Sequence, residues 1–278
     1  MNTLAKMYRP ITAAPFQNNR QYCEIPPCEA LKPFVRCFWG TKSPVSSRNG
    51  SSASQLVIPD TCMDIIFNVS PADNRADSFF CTVDERSYFS GNAAAGPDGS
   101  IFAVRFYGWT AVLFTERELG GRKNEAFPAE EFFGDLKSRL EPFLFEHTSL
   151  EQRAKFAEKL LLGRLCERRS DSALLNGIYY MLKTDCRAKI SEVCGYSCVG
   201  EKQLERIFNF NTGVSPKTFS SLLRYQLLWQ DMNFSENFSL LDAVEKYGYT
   251  DQSHLLRDFK RRHLMTPKEA LAYGRKFR

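Results

Sequence analysis

Long apolar runs are missing from this sequence. Nowhere do about 18 apolar residues follow one another, which argues against a membrane-spanning helix, and Met1 to Pro10 contains no apolar core of signal-peptide length. A cytoplasmic protein with no membrane partner is therefore expected. Histidine is scarce, at three residues, and the nine cysteines are scattered without a single Cys-x-x-Cys. That leaves no donor set for a zinc site and no even framework for disulfides, so free thiols in a reducing compartment are expected, with no metal and no cofactor. Also missing are Gly-x-Gly-x-x-Gly, Gly-x-x-x-x-Gly-Lys-Ser/Thr, His-Glu-x-x-His and Gly-x-Ser-x-Gly, so the chain does not read as an enzyme. Asp60 and Asp64 could form a paired-carboxylate acid/base site, but such residues more often cap turns and accept from backbone amides.

What is present is an ordinary globular composition in a chain of 278 residues, longer than one compact domain usually runs. From about Gln21 to Tyr107, short apolar runs are punctuated by turn formers. Leu56 to Pro59, Asp64 to Val69 and Ile101 to Phe106 are the clearest strands, and 46–54 and 93–100 read as loops. Helical spacing then takes over at Trp109 to Leu119, Glu130 to Phe145 and Leu150 to Glu167, and the chain is helix and turn from Ala173 onward. The expected fold class is α+β with two domains. Residues 1–150 would be a β-rich, sensor-like domain for effector binding or dimerisation, 151–171 a helical linker, and 172–278 an all-α domain. Trp39 and Trp109 could line an apolar effector pocket or belong to an ordinary core.

Charge is divided unevenly. Residues 1–175 carry 21 basic and 21 acidic side chains, whereas 176–278 carry 16 and 11, so the whole formal charge of +5 lies in the C-terminal part. Such an asymmetry suits a domain that meets a polyanion.

In that basic part the sequence repeats. Leu204-x-Arg206-x-Phe208 followed by Pro216 returns 51 residues later as Leu255-x-Arg257-x-Phe259 followed by Pro267. Each copy reads as a short helix (Ile190 to Tyr196; Leu240 to Tyr247), a tight turn, and a second helix (Glu201 to Asn209; Gln252 to Arg262), which is a helix-turn-helix unit. The Leu and Phe, at i and i+4, face the partner helix; the Arg between them faces away. This leaves Lys202, Glu205, Arg206 and Asn209 in the first unit, and Gln252, Ser253, His254 and Arg257 in the second, as candidates for reading base edges. His254 could instead cap its helix locally. Lys217, Arg224, Lys260, Arg261 and Arg262 are the candidates for phosphate contacts. Apolar residues at helical spacing over Pro216 to Asn233 predict one connecting helix that fixes the distance between units. His147 and His263 suggest only surface or turn roles.

These residues resemble the AraC-type DNA-binding domain. The match lies in Glu201 to Phe208, Gly213-Val214-Ser215-Pro216-Lys217, Arg224-Tyr225-Gln226 and Gly248 to Leu255, with Leu264 standing where that family usually has Gly. The resemblance implies seven helices, two helix-turn-helix units reading successive major grooves of double-stranded promoter DNA, and recruitment or blocking of RNA polymerase. Glu24-Ile25-Pro26-Pro27, Val35 to Trp39, Pro59 to Phe67 and Val104-Arg105-Phe106 resemble the N-terminal domain of one subgroup of AraC-like regulators. By analogy this implies a β-rich domain that senses a small-molecule effector or forms a homodimer. A catalytic N-terminal domain, or one that only dimerises, remain alternatives at this stage.

Overall fold

The computed structural model describes residues 1–19, 21–41, 55–71, 74–90, 99–165 and 171–277. After the short helix α1 (Asn2–Met7) the chain forms β1 (Cys23–Ile25), β2 (Val35–Gly40), β3 (Leu56–Val57), β4 (Cys62–Ser70), β5 (Arg75–Cys81), β6 (Tyr88–Phe89), β7 (Ser100–Tyr107) and β8 (Ala126–Pro128). Helices follow: α2 (Glu130–Glu146), α3 (Leu150–Leu162), α4 (Ser172–Lys183), α5 (Ile190–Ser197), α6 (Glu201–Thr212), α7 (Pro216–Phe234), α8 (Leu240–Lys246), α9 (Gln252–His263) and α10 (Pro267–Arg275). The fold class is as expected, a β-rich half followed by a helical one.

Six strands make one antiparallel sheet in the order β1-β2-β7-β4-β5-β8, and β3 pairs with β6 in a second, two-stranded sheet. The period of two along a strand decides its faces. Met63, Ile65, Phe67 and Val69 of β4, with Phe102, Val104 and Phe106 of β7, are fully buried on one face. The phenylalanines of α2 cover it, with Phe132 and Phe133 about Phe80 at 5.2 and 5.0 Å between ring centroids. The other face carries Asp64 opposite Arg105, and Trp39 on the neighbouring strand.

That polar pair is embedded. Arg105 Nε donates to Asp64 Oδ1 at 2.9 Å, its Nη1 lies 3.3 Å from Asp60 Oδ2, and Trp39 Nε1 donates to Asp64 Oδ1 at 2.7 Å. Burial pushes the Asp60 carboxyl upward against the pull of Arg105. Asp60 also accepts from the Cys62 amide at 2.9 Å, the turn-capping use expected for it. Asp84, desolvated and near both aspartates, is pushed up to about 7. On the covered side Arg153 is buried without a carboxylate partner among the described residues. It donates to the carbonyls of Leu144 and His147 at the end of α2 and to Ser100 Oγ, where a cation also complements the helix dipole.

Two expectations fail locally. Residues 109–119 hold only a 3-10 turn at Ala111–Leu113. Trp109, Thr110, Ala111, Val112 and Phe114 are buried all round, and Thr110 Oγ1 donates to the carbonyls of Phe34 and Tyr107, so there is no amphipathic helix to form. Trp109 is thus core. α3 stops at Leu162 with Gly163 at its C-cap. The loop predicted over 46–54 lies outside the described residues, and so do 93–98 of the second loop, predicted over 93–100.

The buried cores do not respect the boundary between sheet and helices. One continuous core runs from Leu4 through the sheet to Val193, Leu204, Phe208 and Leu223. The other gathers Tyr225, Trp229, Leu255, Phe259 and Ala270 together with Ala13, Leu56 and Ile58 from the first sixty residues.

Candidate nucleic-acid interface

Each unit begins with a capped short helix. Glu192 Oε2 accepts the Lys189 amide at 2.7 Å at the start of α5, and Ser239 caps α8. The first turn runs through Cys198, whose φ of 55° is left-handed, into α6. The second runs through Gly248, φ 65°, to Asp251, whose carboxylate accepts the His254 amide at 2.7 Å and starts α9. α6 extends beyond its expected end at Asn209 because Asn211 and Thr212 bond back to the carbonyls of Ile207 and Phe208. It closes at Gly213, φ 77°, where an added Cβ would sit 2.1 Å from the Arg122 carbonyl oxygen. Glycine alone fits that approach.

The repeat divides each second helix as predicted from its spacing. Leu204, Phe208, Leu255 and Phe259 are fully buried, while Lys202, Glu205, Arg206, Gln252, Ser253 and Arg257 are exposed. None of these six makes an ion pair with the described residues. Lys217 and Lys260 are exposed as well, and Asn209 is half-buried. His254 is half-buried, and its Nδ1 faces the Thr250 amide at 3.4 Å, the local capping alternative.

Residues 193–272 match the family model described as helix-turn-helix domain. The C-terminal region is an AraC-type helix-turn-helix domain. A domain of this type supports DNA binding by that region. Residues 23–127 match a second model, a domain of unknown function (DUF6597). No curated protein matches the chain. Among solved structures it is similar to a xylose-binding transcription activator, xylR, at 19% identity and a TM-score of 0.35, over 44% of this chain and 37% of that one. The chain therefore spans little more than a third of that relative. It is also similar to ToxT from Vibrio cholerae O395, at 13% identity and a TM-score of 0.41 over 85% and 97% of the two chains. ToxT from Vibrio cholerae strain SCE256 with a bound unsaturated fatty acid shows 12% identity and a TM-score of 0.41 over 84% and 94%. Among the described residues, no helix is long and apolar enough to cross a membrane.

Within the helix-turn-helix domain, three of the arginines expected at phosphates are drawn to Asp258. Arg261 Nη2 donates to Asp258 Oδ1 at 2.6 Å while its side chain stays 70% exposed, so it remains available to solvent. Arg224 lies over the Tyr249 ring at 4.3 Å and 3.8 Å from Asp258 Oδ2. Arg262 is a correction: it is buried, with Nη2 on Ser221 Oγ at 2.7 Å and Nε 3.5 Å from Asp258 Oδ1. Its carbonyl accepts from Ser87 Oγ of the β-rich half. The sequence carries a signal for this, since Arg262 follows Leu255 and Phe259 by seven and three residues and so shares their buried face. Burial would raise the Asp258 carboxyl, but Arg262, Arg261 and Arg224 together hold it below the usual range.

His263 is likewise core rather than surface. It is fully buried, stacks 5.0 Å from Phe259, lies 4.6 Å from Trp229, and shares a 2.7 Å hydrogen bond between Nδ1 and Tyr225 Oη. Desolvation pulls it down from 6.5 to about 3. The neutral ring is the native form, so its contribution is complete above the unfolded value of 6.5 and is lost as pH falls from there toward 3. Roughly 5 kcal/mol of acid sensitivity is the upper bound expected from this one group. Replacing His263→Phe together with Tyr225→Phe should flatten urea-unfolding stability between pH 6 and 4; an unchanged slope would assign the sensitivity elsewhere.

α9 ends at Leu264, which takes a left-handed geometry, φ 60°, that favours glycine. The side chain is 48% exposed and gains little burial in exchange. Leu264→Gly should therefore stabilise the protein by about 0.5–1 kcal/mol in thermal melting. A lower melting temperature would mean that the leucine makes contacts worth more than its backbone strain.

Proposed function

We propose that the chain is a sequence-specific regulator in which α6 and α9 read successive major grooves of promoter DNA. One observation carries the reading: two copies of one helix-turn-helix unit, in the basic part of the chain, each present an exposed polar face with no partner ion among the described residues. Lys202, Glu205, Arg206, Gln252, Ser253 and Arg257 are the base readers, with His254 beside them. Lys217, Lys260 and Arg261 meet phosphates, and Arg224 does so only by leaving Tyr249. Residues 172–278 form the DNA-binding part, 151–171 connect it, and 1–150 sense a small molecule or dimerise. RNA polymerase is the partner through which a bound promoter is activated or blocked.

The test is binding of the purified protein to fragments upstream of its own gene, followed by genome-wide selection of bound fragments, with salt and random competitor DNA titrated. Specific binding that resists competitor and weakens steeply with salt is expected. Absence of any selected sequence would sink the reading. On a selected site, Arg206→Ala or Arg257→Ala should each lose about 1–3 kcal/mol with little change in stability. Equal weakening on random DNA would reassign them to phosphates.

A further inference from the structure

Between the N-terminal strap, residues 8–18, and the edge of the main sheet lies a cavity of about 140 Å³. Its outer wall is Ile11, Thr12, Ala14, Pro15, Gln17 and Asn18, and its inner wall is Tyr22, Glu24 and Arg36. Arg36 is only 8% exposed, and among the described residues two of its five N–H groups are engaged, Nε on the Pro10 carbonyl and Nη1 on Glu24 Oε2, each at 3.2 Å. Glu24 accepts one further bond, from Tyr22 Oη at 2.8 Å. A full positive and a full negative charge thus line one small space, and both keep hydrogen-bonding capacity beyond what they spend on each other. A net anion there would face Glu24 and a net cation Arg36, whereas a molecule carrying both charges meets each with its complement.

We propose that this cavity binds a small zwitterion of the α-amino-acid type, its carboxylate on Arg36 and its ammonium on Glu24. The strap that walls the cavity is fastened on its other side to the helix-turn-helix domain. The Ile11 amide donates to Gln226 Oε1 at 3.0 Å, the Ile11 carbonyl accepts from Gln226 Nε2 at 3.2 Å, and the Thr12 carbonyl accepts from Trp229 Nε1 at 3.0 Å. A ligand that requires the strap in place adds its binding free energy to the strap's hold on α7, so occupancy and α7 are linked. This deepens the sensing role proposed above and rests on it for its consequence; binding measured without DNA separates the two.

The experiment is calorimetric titration of the full-length protein, free of DNA, with each of the common amino acids, and then with the amide and the N-acetyl derivative of any that bind. At least one amino acid is expected to bind with a submillimolar Kd, and both derivatives, each lacking one charge, at least tenfold more weakly. Gln17→Trp, which fills the cavity from its half-buried rim, should abolish the binding. The proposal is overturned if no amino acid binds, if a derivative binds as well as its parent, or if an uncharged polyol such as erythritol binds in their place. The derivative series uses the unaltered protein, so it decides the matter even where Gln17→Trp folds poorly. Amino-acid binding by a protein that selects no DNA sequence would overturn the regulator reading and leave the site standing.

Discussion

Arg105→Met is expected to lower stability by about 3–5 kcal/mol at neutral pH, the usual result of removing one partner from a buried ionic group. The side chains of Arg105, Asp60 and Asp64 are only 13%, 15% and 13% exposed. Without the guanidinium, two carboxylates remain near each other beneath Trp39, with only the Trp39 indole and the Cys62 amide to bond them among the described residues. The cheapest response is for Asp60, which burial already pushes upward, to take up a proton, so the deficit should shrink as pH falls from 7 toward 5. Urea unfolding of Arg105→Met at both pH values checks the magnitude and its direction. Arg105→Met combined with Asp64→Asn should recover part of the loss, since one unpaired charge is then gone. A loss below 1 kcal/mol at pH 7 would show that the aspartates are solvated enough to need no partner.

The second large effect is expected from Trp229→Ala. The ring is fully buried on α7, 5.9 Å from Phe259 and 4.6 Å from His263 between ring centroids, and its Nε1 holds the Thr12 carbonyl at 3.0 Å. Truncating a buried Trp costs about 3–5 kcal/mol from lost transfer and the cavity left behind. Here the substitution also releases the strap and loosens α9 from the connecting helix. A fall in melting temperature of roughly 10 °C is expected, together with weaker binding to any selected DNA site. Unchanged melting would remove Trp229 as the joint between strap, α7 and second unit.

The helical half was the more legible in sequence, and the reason is local. Leu204/Phe208 and Leu255/Phe259 declare their buried face through i, i+4 spacing, and helix ends are marked by Asp171, Ser215, Asp251 and Thr266, each of which caps the following helix through its side chain. The central strands β4 and β7 show through their alternation. β5 does not, because Arg75 to Cys81 mixes exposed, half-buried and buried positions without a clean period. β1, β6 and β8 are two or three residues long, too short for any periodicity. Trp109 to Phe114 has the apolar density of a helix but no polar side, and its one threonine, Thr110, bonds the backbone instead. At the candidate interface, exposure of Arg206 and Arg257 follows from the repeat, whereas the pull of Asp258 on Arg224 and Arg262 depends on α7 and α9 meeting in space. The strap is the least legible element of all. Its bonds to Gln226 and Trp229 use backbone groups, which any sequence could supply.

Those bonds also carry a consequence in time. Ile11 and Gln226 are 215 positions apart, so at a synthesis rate of about 5–20 residues per second the strap leaves the ribosome roughly 10–40 s before its partner helix exists. During that interval Ala13, Leu56 and Ile58, which later share a core with Trp229 and Phe259, lack those two rings to bury against. A part of the chain made late completes the packing of one made early.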